Sequence, residues 1–153
     1  MEIVPGIHQV KVSMSNSPLA NLNCYLIEGR RGWTMIDTGF FIPESFESLK
    51  AGLDTLGIQF TDIEMILLTH IHPDHYGLAG KIKQLSPETQ LIMHRWEGVL
   101  IESRYLKFFD LQKKIGEMLE KHGVPPINIS EFKFASMFYT SNKISWSVDE
   151  LRK

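Results

Sequence analysis

The sequence contains a single cysteine, Cys24, so no disulfide bond can form within one chain. It has no apolar run approaching the ~18 residues of a membrane-spanning helix. Its first residues carry neither the basic segment nor the apolar stretch of a secretion signal. These absences exclude a scaffold built on disulfides, and they predict a cytoplasmic protein with no membrane partner.

Neither sign of charge is in large excess, because 16 lysines and arginines stand against 18 aspartates and glutamates, for a formal net charge of −2. A chain without a basic excess lacks the electrostatic attraction to phosphates that nucleic-acid binding requires. We therefore expect a small-molecule substrate and no nucleic-acid partner.

The 153 residues suffice for one domain of ordinary globular composition. Several short segments have the apolar composition of strands, namely 6–12, 23–28, 32–36, 65–68 and 90–94. Segments of helical spacing separate the later strands, and this alternation predicts an α/β fold with helices packed on a sheet. The pattern divides the chain into a sheet-and-helix unit, a helical segment and an irregular aromatic-rich tail, at 1–97, 98–126 and 127–153.

Two longer helices are predicted from apolar residues that recur every three or four positions. The first begins near Pro43 and ends at Gly57, and its apolar face comprises Phe46, Leu49, Leu53 and Leu56. The second ends at Gly123, and its apolar face comprises Phe108, Leu111, Ile115 and Met118. Both are expected to cover an apolar surface on one side only.

Three of the six histidines fall close together directly after an apolar segment, with an aspartate among them: His70, His72, Asp74 and His75. Imidazole and carboxylate are ligands that zinc prefers. On an extended backbone His70 and His72 point to the same side and can hold one ion together. Pro73 bends the chain, after which Asp74 is expected to cap the next helix and to face a second ion together with His75.

The alternative interpretation of this cluster is a group of surface histidines at the end of a strand. The density of the cluster favours a metal site. The remaining histidines, His8, His94 and His122, are isolated, and no ligand role is predicted for them. Cys24 lies in an apolar segment and is predicted to be a small core residue rather than a nucleophile.

Asp37 ends a predicted strand in the sequence Asp-Thr-Gly, and two roles are open to it. It could accept a hydrogen bond from the second ring nitrogen of a histidine ligand, which fixes the histidine tautomer. It could instead be a turn aspartate that satisfies local backbone groups. The two roles are compatible.

Four segments, taken in order, resemble the metallo-β-lactamase superfamily: residues 23–27, 33–39, 66–77 and 90–97. The resemblance implies an αβ/βα sandwich, in which two halves pack face to face around a metal cleft. It implies one or two zinc ions, with His70 and His72 on one, Asp74 and His75 on the other, and a catalytic role for Asp74. It also implies hydrolysis of an ester, thioester or lactone-like bond by metal-activated water. The pair Asp74-His75 argues against the branch of the fold that binds redox iron.

The family also needs a third histidine for the first metal, a bridging aspartate and a last histidine for the second, all from its second half. No segment like the Pro-Gly-His that carries the first of these follows His75. We therefore expect an N-terminal half of the sandwich with an added helical segment and a partial ligand set.

Three hypotheses follow. The chain derives from a zinc-dependent hydrolase and is weakly active or inactive alone; or it is a catalytically inactive half-domain that acts as a self-associating or binding module; or a separate chain supplies the missing half. In each case the strand segments 24–27, 34–36 and 65–68 are expected to present an apolar inner face. Such a face favours a homodimer or a complementing second half. The alternative is that the helix at 108–119 and the tail at 132–148 fold back over the face.

Overall fold

The computed structural model describes residues 1–14, 19–101, 104 and 107–130. The strands are β1 (Glu2–Val4), β2 (Ile7–Ser13), β3 (Asn21–Glu28), β4 (Trp33–Ile36), β5 (Ile63–Leu67) and β6 (Gln90–Ile92). The α-helices are α1 (Pro43–Thr55), α2 (Pro73–Tyr76), α3 (Ala79–Leu85), α4 (Arg95–Ile101) and α5 (Phe108–Lys121), and a short 3₁₀ turn spans Phe60–Asp62. Most of the predicted irregular tail, from residue 131 onward, lies outside the described residues.

The six strands form one sheet in the order of the chain. β1 to β4 pair as antiparallel neighbours, whereas β4, β5 and β6 run parallel. A parallel pair needs a crossover, and α1 and α3 lie in the two crossovers. The carboxyl ends of β4, β5 and β6 therefore meet at one edge of the sheet, where ligand sites of open α/β sheets gather.

The core lies between one face of this sheet and the helices. Alternate residues of the strands, such as Val12, Cys24 and Met35, are fully buried together with Leu49 of α1 and Ile82 of α3. The alternation follows from the strand period of two, which places every second side chain on the helix side. The prediction of an α/β sheet with helices on it is confirmed, as is Cys24 as a core residue.

The opposite face of the sheet also carries apolar side chains, and among the described residues several of them are exposed to solvent. Its central row joins Tyr25, Ile36, Leu67 and Ile92 across four neighbouring strands. Leu67 and Ile92 are 36% and 39% exposed, and Ile27 on the same face is 37% exposed. The three strand segments expected to present an apolar face therefore do present one.

Two sequence predictions about helices need correction. The segment after β6 was predicted as part of a strand up to residue 94, but β6 ends at Ile92 and α4 begins at Arg95. This helix has only seven residues, and Val99 and Leu100 are exposed, so the sequence has no amphipathic pattern from which the helix could be predicted. The boundary drawn between residues 97 and 98 falls within α4; the division into three parts stays a prediction.

The second correction concerns the face of α5. The helix forms and ends before Gly123, whose φ of 80° stops it. Its buried side is centred on Phe108, Gln112 and Gly116, while Met118 is 51% exposed. Leu111 and Ile115 flank the buried line and are half-buried. The apolar spacing located the helix but placed its buried side about one residue away.

Gly77, directly after α2, lets two backbone segments meet closely. A Cβ at Gly77 would lie 2.5 Å from the carbonyl oxygen of Pro73, 2.6 Å from the nitrogen of Phe41 and 2.7 Å from the carbonyl oxygen of Gly39. All three are backbone atoms, which cannot move aside as a side chain can. Because Gly77 has no side chain, α2 can pack closely against the loop that follows β4.

We expect Gly77→Ala to lower the free energy of unfolding by roughly 1–3 kcal/mol, the usual range for overpacking. Gly98→Ala is the matched control, because an added Cβ at Gly98 meets the Met93 sulfur at 3.9 Å, an ordinary contact. Since alanine favours a helix interior, this control should be neutral or stabilising. Urea unfolding of both variants tests the pair, and equal stability would contradict the packing argument.

Candidate metal centre

The predicted site residues gather where β4 and β5 end. Asp37 follows β4 directly, and residues 68–72 leave β5 without forming a helix or a strand. α2 then carries Asp74 and His75 in its single turn. Asp74 is not the helix cap that was expected: His72 occupies that position and Pro73 is the first helical residue. Proline suits the first position because its missing N–H would have no partner there.

All four predicted ligands lie in one cluster. The ring centroids of His70 and His72 are 4.5 Å apart, and those of His70 and His75 are 4.0 Å apart. The Nε2 atom of His75 lies 3.5 Å from Oδ2 of Asp74. The fold thus brings together three imidazoles and one carboxylate at the sheet edge.

A second carboxylate, that of Asp37, lies buried behind this cluster. Its Oδ1 accepts a hydrogen bond from the backbone N–H of Thr69 at 2.9 Å. Its Oδ2 lies 2.7 Å from both the Thr69 hydroxyl and Nδ1 of His75. The contact to a histidine considered from the sequence is therefore present, whereas the backbone contact joins Asp37 to a residue 32 positions away rather than to its own turn. Asp37 makes them with a φ of 57°, a conformation that aspartate tolerates better than most residues.

This geometry determines which nitrogen of His75 is free. An ionised carboxylate only accepts hydrogen bonds, so Nδ1 of His75 carries the proton that points to Asp37. The Nε2 atom is then the nitrogen that can bind a metal ion, and it is the one that faces Asp74.

Thr69 extends the same control to His70. The single hydroxyl proton of Thr69 is donated to Asp37, so its oxygen is left to accept from Nδ1 of His70 at 3.0 Å. His70 therefore also keeps Nε2 free. Thr69 was not among the residues predicted from the sequence, although its place immediately before His70 was a usable signal.

The charges of the cluster follow from these contacts. Burial alone would raise the pKa of Asp37, but the hydrogen bonds from His75 and Thr69 outweigh it and lower that pKa below its ordinary value. Burial alone would lower the pKa of His75, but the hydrogen bond and charge of Asp37 raise it. Burial and the neighbouring His75 and His72 lower the pKa of His70, which favours the neutral, metal-binding imidazole.

Thr38, which was also not predicted from the sequence, links α2 to the loop after β4 by hydrogen bonds. Its N–H and its hydroxyl both donate to the carbonyl oxygen of His75, at 2.7 and 2.9 Å. His75 is therefore held at its backbone by Thr38 and at its ring by Asp37. A ligand fixed at both ends loses little conformational entropy when it binds an ion.

The other candidate residues lie apart from the cluster. His8 packs edge-on against Trp33, His94 follows β6, and His122 lies at the end of α5. The thiol of Cys24 is buried and donates to the backbone oxygen of Asp37. Burial and the charge of Asp37 raise the pKa of this thiol, so it stays protonated and is not a nucleophile.

The donors fit zinc in kind but fall short in number. Among the residues that the structure describes, no group of three or more histidine, cysteine, aspartate or glutamate side chains is arranged to hold one ion. Zinc usually takes three donors from protein in a catalytic site. The assignment of two donors to each of two ions stays a prediction.

A tautomer measurement tests the hydrogen-bond chain. With Thr69→Val we expect neutral His70 to lose its preference for the Nδ1–H form, because the acceptor for that proton is gone. His75 should keep its preference, since Asp37 still accepts from it. Thr69→Ser retains the hydroxyl and is the control. Long-range ¹H–¹⁵N NMR of the metal-free protein reads both rings, and an unchanged His70 in the valine variant would contradict this arrangement.

Comparison with known proteins places the chain in a family. The model of the metallo-beta-lactamase superfamily matches residues 19–137. The probable metallo-hydrolase YqjP of Bacillus subtilis is 34% identical over 102 residues, which are 66% of this chain and 30% of that protein. The flavo-diiron protein FprA2 of Clostridium acetobutylicum is 27% identical over 90 residues, 58% of this chain and 21% of that protein.

Solved structures show the same fold. The metallo-beta-lactamase family protein TTHA1429 of Thermus thermophilus superposes with a TM-score of 0.65 at 25% identity, over 94% of this chain and 44% of that one. BJP-1, a subclass B3 metallo-beta-lactamase of Bradyrhizobium japonicum, gives 0.56 at 27% identity, over 69% and 36%. The chain spans less than half the length of each of these proteins. The match over residues 19–137 and the shared α/β fold show that the chain belongs to the metallo-β-lactamase superfamily.

Proposed function

We propose that this chain is the zinc-binding half of a hydrolase that cleaves an ester, thioester or lactone-like bond. The observation that carries the proposal is the buried carboxylate of Asp37, whose hydrogen bonds with His75 and, through Thr69, with His70 leave the Nε2 atom of each ring available to bind a metal ion. Carboxylates that accept a hydrogen bond from a histidine ligand, and so fix its tautomer, are a regular feature of zinc sites. Membership of the superfamily supports the same assignment.

In this proposal His70 and His72 hold one ion, and Asp74 and His75 hold the other. Bound zinc would supply Lewis-acid activation of water and of the carbonyl oxygen of the substrate. Asp74 is proposed as the catalytic residue because its carboxylate is partly exposed and lies beside the metal-binding nitrogen of His75. Asp37 and Thr69 hold the imidazoles in the orientation that binding requires.

The chain alone supplies two donors to each ion, so its own affinity and activity are proposed to be low. A zinc ion held by two protein groups lacks the third donor that fixes its geometry. The whole activity would then need donors from a second polypeptide segment.

The second candidate is a catalytically inactive module that binds another protein surface, and the open apolar face of the sheet favours it. This face includes Ile27, Leu67 and Ile92. Apolar surface contributes roughly 25 cal/mol per Å² when it is covered. The proposed partner is a second copy of this chain or a complementing half-domain. The two candidates are compatible, because the cover could also bring the missing donors.

No helix within residues 1–14, 19–101, 104 and 107–130 has the length and hydropathy needed to cross a bilayer. The cytoplasmic location expected from the sequence remains a proposal.

Metal analysis tests the site. We expect the purified chain, loaded with Zn²⁺ and dialysed, to retain metal that the double variant His70→Ala/His72→Ala loses, because it removes both imidazoles of one ion. His122→Ala is the control, since His122 lies at the far end of α5. Plasma emission spectrometry of zinc, with iron and manganese read in parallel, identifies the ion. Equal metal in the wild type and the double variant would place the site elsewhere.

Activity of the isolated chain should be very low. With Zn²⁺ and chromogenic ester, thioester and lactone substrates, we expect hydrolysis no faster than in the His70→Ala/His72→Ala variant at equal protein and zinc. Half of a ligand set cannot hold an ion in the open but fixed geometry that activates water. Robust turnover that the double variant abolishes would show that the site is completed, either within one chain or between copies.

Self-association tests the open face. We expect the apparent mass to rise from monomer towards dimer with concentration in size exclusion with light scattering. Ile27→Lys should return the protein to monomer, because a buried ammonium at an interface is unfavourable. Leu85→Lys is the matched control, since Leu85 is 47% exposed against 37% for Ile27 but lies on α3. A wild type that stays monomeric at every concentration would exclude the homodimer.

A further inference from the structure

Residues 68–72, which carry His70 and His72, form neither a helix nor a strand, so their backbone groups need partners from elsewhere. Buried amides are almost always hydrogen-bonded. The N–H of Leu68 donates to the backbone oxygen of Ile92 at 2.8 Å, and the N–H of Thr69 donates to Asp37 at 2.9 Å. Beyond Thr69 the segment leaves the sheet, and these two anchors no longer hold it.

The next anchor is a glutamate that neither the sequence analysis nor the proposed ligand set includes. The N–H of Ile71 donates to Oε2 of Glu97 at 2.9 Å, across 26 residues of sequence. Glu97 lies in the first turn of α4, and its own N–H donates to the backbone oxygen of His94 at 2.9 Å. The carboxylate therefore reaches the histidine segment from a helix that is itself tied to the end of β6.

Ile71 is the residue between the two histidines of the first ion. Its side chain is 4% exposed and belongs to the core, while its N–H is held by Glu97. With both the side chain and the amide fixed, the peptide groups on either side of Ile71 cannot rotate freely. The rings of His70 and His72, which flank Ile71, are then held on one side with their centroids 4.5 Å apart.

We infer that Glu97 is a positioning residue, which sets the relative orientation of His70 and His72 through the amide of Ile71. This inference rests on the proposed function, because the pair is proposed to hold one ion. Asp37 controls the side chains of His70 and His75, whereas Glu97 controls the backbone between His70 and His72. Asp37 thus holds Thr69 and His75 on either side of the histidine pair, and Glu97 holds Ile71 between the two histidines.

Three variants separate this role from a general contribution to stability. Glu97→Ala removes the acceptor. Glu97→Gln keeps a side-chain oxygen that can accept from Ile71 but removes the charge. Glu88→Ala removes an exposed carboxylate on the loop before β6 and controls for net charge. Thermal unfolding of all three establishes that each variant is folded.

Metal affinity is the first measurement, with Zn²⁺ and Co²⁺ titrated in competition with a chromophoric chelator. We expect Glu97→Ala to weaken binding by about 10–100-fold, the usual range for a residue that orients a ligand. Glu97→Gln and Glu88→Ala should stay within about threefold of the wild type, and the Co²⁺ visible spectrum should change only in the alanine variant. Unchanged affinity in Glu97→Ala, or equal loss in the alanine and glutamine variants, would overturn the inference.

The metal-free chain gives a second, independent measurement. In the wild type and Glu97→Gln we expect slow hydrogen exchange of the Ile71 amide and nuclear Overhauser contacts between the rings of His70 and His72. In Glu97→Ala we expect faster exchange of that amide and loss of the ring contacts. A wild type that binds no metal would refute the proposed function, and these signals would still decide the role of Glu97. Ring contacts that persist in Glu97→Ala would refute the positioning role alone.

Discussion

The buried carboxylate of Asp37 is the constraint on which the rest of the site depends. A buried carboxylate is unfavourable unless hydrogen bonds compensate for its lost hydration. Asp37 has these bonds from the backbone and hydroxyl of Thr69 and from the ring of His75. The same bonds that keep the charge stable inside the protein therefore fix the tautomers of the histidines, so stability and metal-site geometry have one origin.

The sheet topology explains why the single carboxylate of Asp37 contacts both Thr69 and His75. Asp37 follows β4, and Thr69 follows β5, its parallel neighbour, so the two residues meet at the same edge. The loop after β4 also approaches α2 closely, because Gly77 has no side chain to separate them. The parallel strand pair and this close backbone contact together determine the position of His75, whose carbonyl oxygen accepts a hydrogen bond from Thr38.

Local patterns in the sequence predicted the components of the site better than their connections. The cluster of His70, His72, Asp74 and His75 could be predicted because the side chains that meet in space are also close in sequence. The hydrogen bonds of Thr38, Thr69 and Glu97 were not, because those to His75, Asp37 and Ile71 join residues 26–37 positions apart, and that of Thr69 with His70 depends on a tautomer. Helix positions were predicted from the spacing of apolar residues. The buried side of α5 was not, because it depends on which neighbour the helix meets, and α4 was too short to carry a pattern.

The orientation and the number of the proposed metal ligands are separate properties of this chain. Orientation comes from hydrogen bonds of groups within residues 37–97, namely Asp37, Thr69 and Glu97. The chain supplies two donors for each proposed ion, fewer than the three that a catalytic zinc site usually takes from protein. Preorganised ligands lose less entropy on binding than mobile ones. A partner that supplied only the missing donors would therefore meet imidazoles already turned towards the ion, and its own contribution could go to affinity rather than to arranging the site.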